Sequence, residues 1–206
     1  VTEVTVEAWI MPRTAGSYHS KIMRLAGNYA PGYMLSWQLS GDQTLQFRID
    51  HASLGSLAAK DTVPTSTYFG SWHHVAGVYS VADNYCRLYV DGVIRAEQTA
   101  VGLLQYSGWD LGIGNHWAGA YEDFDGYIDE VRIWNVARTQ PQIAANLGSE
   151  ILPQAGLAAY YNLNQGVAGG NNAGVATAID SSGSGLNGTL NNFALTSSTS
   201  NWVNGV

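Results

Sequence analysis

Asp125-Gly126-Tyr127-Ile128-Asp129-Glu130-Val131-Arg132-Ile133-Trp134-Asn135 decides how the rest of this chain is read. The stretch opens on a turn pair, Asp125-Gly126, and then alternates. Ile128, Glu130, Arg132 and Trp134 point one way; Tyr127, Asp129, Val131 and Ile133 point the other. A period of two in β-branched and aromatic residues is a strand. Both faces carry bulk, so the strand is expected mid-sheet with a neighbour or loop covering each side. Asp129 then lies beside Tyr127 and Val131 on a largely apolar face, where a carboxylate needs an arginine, backbone N–H groups or a metal.

Outward from this stretch, strand follows strand. Residues 4–10 alternate, with Val4, Val6, Ala8 and Ile10 on one face and Glu7 and Trp9 on the other, and Pro12 stops the run. A short strand is expected over 21–26. A hairpin follows, with Tyr33, Leu35, Trp37 and Leu39 answered by Leu45, Phe47 and Ile49 across the turn at 40–43. Its other face reads Met34, Ser36, Gln38, Gln46 and Arg48, polar enough to be expected wet. Residues 51–67 read as irregular. Strands are expected again over 71–80, 85–90, 93–98 and 111–114, with Asp91-Gly92 a strong hairpin turn. Thr139-Gln140-Pro141-Gln142 is a capping box with proline in the first turn, so one short helix is expected near 139–147, ended by Gly148. Residues 157–163 give a last strand, and 166–185 a Gly/Ala/Ser/Asn-rich loop. Many strands, one short helix and no βαβ spacing predict an all-β, two-sheet antiparallel sandwich.

At 206 residues and 46% hydrophobic, the chain can bury a full core as a single domain, 1–206, with 157–206 supplying a completing strand and loop. Only 12% is charged, and seven Trp with twelve Tyr make it rich in aromatics, which suit sheets and also suit sugar faces. The net charge of −7 argues against nucleic acid as a partner. No apolar run is long enough to span a bilayer, so membrane insertion is not expected. The lone Cys86 falls on the Leu88/Val90 face of its strand and reads as a buried thiol rather than a nucleophile. Low charge and a Ser/Thr/Asn/Gly surface favour an extracellular or cell-surface setting. The start on Val1, directly in a strand, suggests part of a multidomain chain.

Four motifs then appear in one order: Val6-Glu7-Ala8-Trp9-Ile10, Trp72-His73-His74-Val75-Ala76-Gly77-Val78-Tyr79, Leu88-Tyr89-Val90-Asp91-Gly92, and residues 126–135 with Ala137-Arg138-Thr139. Together they resemble the laminin-G-like jelly roll of the concanavalin A-like lectin/glucanase superfamily. Residues 157–164 and 180–190 match a segment that comes first in many relatives and last here, as in a circular permutation. The resemblance implies a jelly-roll sandwich completed by that segment. It also implies that the Asp180-Ser-Ser-Gly loop packs against the Ile128-Asp129-Glu130 strand with a structural Ca²⁺ between them, held by Asp180 and Asp129. The other reading of the same residues is an Asx-turn at Asp180 and a paired Asp129.

Glucanases of the superfamily carry Glu-x-Asp-x-x-Glu on one strand, and retaining hydrolysis needs two carboxylates about 5–5.5 Å apart. Glu122, Asp123, Asp125, Asp129 and Glu130 cluster here but do not fall in that pattern, so no catalytic residue is expected. Sugar binding would rest on loops at one end of the sandwich. Trp117, with Asn115, His116 and Tyr121, is the densest group, and Tyr18 could sit nearby. Trp117 could equally cap the sandwich end. Gln46 and Arg48 on the polar hairpin face form a second candidate. The function expected is a non-catalytic, lectin-like module that binds a polysaccharide or glycan; the alternative is an adhesion or spacer domain with protein contacts and no sugar site.

Overall fold

The computed structural model describes residues 1–14, 20–25, 31–37, 44–106, 108–115, 123–196 and 201–206. The strands are β1 (Glu3–Pro12), β2 (Lys21–Leu25), β3 (Gly32–Trp37), β4 (Leu45–His51), β5 (Gly55–Lys60), β6 (His73–Ser80), β7 (Tyr85–Val90), β8 (Val93–Gln98), β9 (Gly112–Ile113), β10 (Gly126–Trp134) and β11 (Leu157–Tyr161), with helix α1 (Gln140–Ala145) before β11. A small two-stranded sheet pairs β12 (Thr177–Ala178) with β13 (Gly188–Thr189). One large sheet runs β11-β10-β1-β6-β7-β8 and the other β5-β4-β3-β2-β9, both antiparallel.

The core lies between the two sheets. Val4, Val6, Ala8, Ile10, Val75, Leu88 and Val131 meet Tyr33, Leu35, Trp37, Phe47, Ile49 and Ala59 across it. Gly77 is where the sheets come closest: a Cβ there would sit on the Phe47 ring. Cys86 is fully buried in this layer, and burial pushes its thiol up to about 12, so it is inert as expected.

Three readings of the sequence need correction. First, the alternation of β10 is broken. Glu7 opposes Arg132 and Trp9 opposes Asp129, so two residues of β10, Glu130 and Val131, stand against Ala8 alone, and Glu130 takes φ 51. This is a bulge. It swaps the faces: Ile128, Val131 and Ile133 all pack against the core, while Asp129, opposite Trp9, falls on the outer face with Arg132. Second, residues 55–60 form β5, an edge strand whose small side chains gave little strand signal and whose ladder to β4 comes from tertiary pairing. Third, the polar face of the β3–β4 hairpin is not wet: Met34, Ser36 and Gln46 are 4%, 0% and 2% exposed.

The six-stranded sheet is buried on its outer face too, under α1 and the chain that follows it. Ile143 packs with Ala76, Val78, Tyr85 and Tyr89, while Trp134 packs with Leu157 and Tyr160. The capping box at Thr139 and Gln142 is formed, with the Thr139 N–H donating to Gln142 Oε1 at 2.8 Å. The C-terminal segment reaches the sheet through β11, which pairs with β10 as the edge strand, and Tyr160 donates to Glu130 Oε2 at 2.7 Å. Cutting the chain after Leu147 should therefore leave β10 as an unpaired edge and strip Tyr160 and Tyr161 from their clusters. Each such side chain contributes roughly 1.5–3 kcal/mol against about 5–15 kcal/mol for a domain, so we expect fragment 1–147 to lose its cooperative melt. Circular dichroism of that fragment checks it, and a soluble, cooperatively melting 1–147 would show that the tail is dispensable.

Candidate functional site

Period-two geometry builds a polar array on the outer face of the five-stranded sheet. Core residues Leu35, Phe47 and Ala59 alternate with outward ones, so side chains from neighbouring strands line up in rows. One row is Lys21, Ser36, Gln46 and Lys60; the next is Arg24, Met34, Arg48 and Ala58; a third brings Asp50 beside Ser56. Gln46 Nε2 donates to Ser36 Oγ at 3.3 Å. Arg48 Nε donates to Asp50 Oδ1 at 2.7 Å and Nη2 to Ser56 Oγ at 2.8 Å, and Ser56 Oγ donates to Asp50 Oδ1 at 2.5 Å. A cavity of about 270 Å³ opens above this array, lined by Gln46, Arg48, Ser56, Ala58 and Lys60. Ala58 supplies the space: its methyl group sits between the longer Ser56 and Lys60 on the same strand face.

The predicted loop site falls differently. Tyr18, His116, Trp117 and Tyr121 lie outside the described residues; Asn115 lies inside, and its amide donates to the Asp123 carboxylate. The flanks of the two loops do meet. Ser20 Oγ donates to the Asp123 carbonyl at 2.8 Å, and Thr14 Oγ1 and Arg13 Nε donate to the Asp125 carboxylate at 2.6 and 2.9 Å. Thr14, Ser20, Asp123 and Asp125 thus gather at one end of the sandwich. At the opposite end, a strap over 99–111 carries two aromatics that the reading of the sequence passed over, Tyr106 and Trp109, 46% and 44% exposed. Tyr106 meets Tyr33 edge-on at 6.3 Å. The signal for Trp109 was available: like Trp117 it lies close to glycine and belongs to no periodic run.

A family model of laminin-G type, described as Concanavalin A-like lectin/glucanases superfamily, matches residues 1–144. The chain belongs to this superfamily. Among solved structures it is similar to a Bacteroides ovatus protein assigned as carbohydrate-binding, with 24% identity and a TM-score of 0.71. That match covers 91% of this chain and 51% of the other, so the chain spans about half the length of that relative. It is also similar to the heptameric SAP-like pentraxin of Limulus polyphemus, at 20% identity and TM-score 0.52 over 70% of this chain and 69% of that one. A third is domain 4 of AbnA, a GH43 extracellular arabinanase from Geobacillus stearothermophilus in complex with arabinotriose, at 20% identity and TM-score 0.52 over 70% of this chain and 67% of that one. At these identities the structures share the fold. No curated protein matches the chain in sequence.

Within a superfamily of both lectins and glucanases, the state of the carboxylates matters. Glu130 is buried, with Arg132 Nη2 at 2.5 Å and the Tyr160 hydroxyl on both its oxygens. Glu7 is fully buried between Arg138 Nη1 at 2.9 Å and His74 Nε2 at 3.2 Å. Burial pushes the Glu7 carboxyl up, but His74 and Arg138 outweigh it and hold it below its ordinary value. Asp61 is enclosed by the Tyr68 hydroxyl and Arg95. Each of these carboxylates is engaged in holding elements together.

The expected calcium ligands can be tested by their donors. Asp180 Oδ1 accepts the N–H groups of Tyr160 and Ser182 at 3.0 and 2.9 Å; Oδ2 accepts the Leu186 N–H at 2.9 Å and the Ser182 hydroxyl at 3.0 Å. Asp129 accepts from Glu130 N and Val206 N at 2.9 and 3.1 Å. The Tyr160 N–H and C=O both reach toward the 180–182 loop, so β11 stands between Asp180 and β10, which carries Asp129. Among the described residues no three His, Cys, Asp or Glu side chains converge. A shell of N–H donors does not fit a cation, and it is the Asx-turn arrangement that Asp180 adopts.

Burial raises the Asp180 carboxyl, but the N–H groups of Tyr160, Ser182 and Leu186 outweigh it, so its folded value lies below the ordinary one. Its contribution to stability is therefore complete above the ordinary carboxylate range and lost as pH falls through the folded value. Replacing Asp180 by Ala should cost roughly 1–3 kcal/mol near neutral pH, and less in acid. Thermal melts with calcium and with chelator should show the same loss. A wild-type melting temperature lowered by chelator, with Asp180→Ala insensitive to it, would restore the ion.

Proposed function

We propose that this chain is a non-catalytic carbohydrate-binding module, set in a larger extracellular or cell-surface protein, and that its sugar site is the outer face of the five-stranded sheet. The carrying observation is the cavity over Ala58, where an amide, a hydroxyl, a guanidinium and an ammonium converge from two strands of a rigid sheet. Such groups suit the ring hydroxyls of a sugar, which both donate and accept. Two further observations support the reading. The Bacteroides ovatus relative is assigned as carbohydrate-binding, and the arabinanase domain of the same fold was solved with arabinotriose. Tyr106 and Trp109, exposed at one end of the fold, supply aromatic faces of the kind that stack on sugars.

The buried, paired state of Glu7, Asp61 and Glu130 supports binding without hydrolysis. Affinity gel electrophoresis against a panel of soluble polysaccharides tests both statements. We expect retardation by at least one polymer, its loss in Ala58→Leu, which fills the cavity, and no release of reducing sugar. Retardation by no polymer would leave the adhesion or spacer reading in its place. Steady release of reducing sugar, abolished by Glu130→Gln, would make the chain a hydrolase.

A further inference from the structure

We infer that the cavity over Ala58 selects anionic sugars, that is, residues bearing a carboxylate or sulfate, with Arg48 and Lys60 as the selecting groups. The inference rests on the sugar-binding reading above and names its ligand class. The chain as a whole is acidic, with 16 Asp and Glu against nine Lys and Arg, so a basic cavity does not simply follow from composition. Yet the charged side chains lining this one are both cations, and no carboxylate lines it.

The nearest anion, Asp50, orients Arg48 from one side. Its Oδ1 takes Arg48 Nε and Nη2 at 2.7 and 2.6 Å and the Ser56 hydroxyl at 2.5 Å, while that hydroxyl accepts a second bond from Nη2. The guanidinium is thus fixed in plane by three contacts to two oxygens along one side, and its Nη1 has no partner among the described residues. A pre-oriented guanidinium loses little freedom on meeting a planar or tetrahedral oxyanion. Lys60 is exposed on the same strand face two residues from Ala58, and it makes no ion pair among the described residues. Gln46, opposite Lys60 in the ladder, is buried and bonded to Ser36 Oγ, and forms the floor beside the two cations.

A second cavity of about 270 Å³, lined by Thr67, Tyr68, Val90, Asp91, Val93 and Arg95, gives the contrast. There Arg95 is 3.3 Å from Asp61 and Asp91 is 2.8 Å from His73 Nδ1, so its ionic groups answer one another. In the cavity over Ala58, Arg48 is answered by Asp50, and Lys60 is the charge left without an ion pair among the described residues.

The test uses the whole chain and three polymers: polygalacturonate, the same polymer fully methyl-esterified, and a sulfated galactan. Titration calorimetry should show binding to polygalacturonate or the sulfated galactan, and the comparison of those two separates carboxylate from sulfate as the group read. The esterified polymer should bind at least tenfold more weakly than polygalacturonate if the carboxylate is read. Lys60→Gln, at an exposed position, should weaken binding about ten- to hundredfold, the loss of one charge-assisted hydrogen bond. Arg48→Gln should do the same, with melting temperature as its folding control. Binding to neither anionic polymer would overturn the inference. Equal binding of the esterified and charged polymers, unchanged by Lys60→Gln but lost in Ala58→Leu, would also overturn it while leaving the sugar site in place. Retention of all binding in Ala58→Leu would remove the site itself.

Discussion

Burying a sheet on both faces removes water from every polar group it carries, and the six-stranded sheet is covered on both from β11 to β7, only β8 lying open. Its inner face is apolar and needs no compensation. Its outer face holds Glu7, His74, Glu130 and Arg132, all nearly or fully buried. A buried charge without a partner costs several kcal/mol, more than a domain can carry repeatedly. The covering elements therefore bring the partners. Arg138, just before α1, reaches Glu7 and lies over the Trp134 ring at 4.0 Å. Asn146 and Ser149, just after α1, offer carbonyls to Arg132 at 2.9 and 2.7 Å, and β11 brings the Tyr160 hydroxyl to Glu130. Helix, turn and C-terminal strand are placed by these obligations as much as by their own apolar contacts.

The Glu130 bulge belongs to the same constraint. With unbroken alternation, Glu130 would share a face with Ile128, and Asp129 would share one with Val131 and Ile133. The extra residue lets Ile128, Val131 and Ile133 all face the core, while Asp129 and Arg132 stay outside it. The left-handed backbone at Glu130, uncommon for a residue with a side chain, is held by ladder pairs on both sides and by its buried ion pair.

The five-stranded sheet differs at its β4–β5 edge, where Ser56 and Lys60 are exposed although Met34, Ser36 and Gln46 beside them are buried. Its polar rows satisfy one another in part and leave a cavity where Ala58 is short. Fixed donors around open space support the proposed site there, whereas the six-stranded sheet has spent its polar groups on closure.

Much of this was legible in the residues. Alternation in 4–10, 33–37, 45–49, 73–80 and 85–90 is local and survives in the strands observed; so does the capping box at Thr139, because each depends on side chains within a few residues. The polar hairpin face that holds Gln46 and Arg48 was also readable. Three things were not. β5 exists because β4 offers it a ladder, not because Gly55–Lys60 prefers to be extended. The bulge at Glu130 exists because two strands must register over a shared core, and a period of two cannot announce its own interruption. Asp180 and Asp129 could each have held a metal or accepted N–H groups, and composition is the same in both cases. The sequence by itself determined most of the strands, the superfamily and the polar character of one sheet face. Tertiary structure decided which carboxylates were consumed by burial and which cations were left around open space, because pairing depends on distances between residues up to 131 positions apart, as in Glu7 and Arg138.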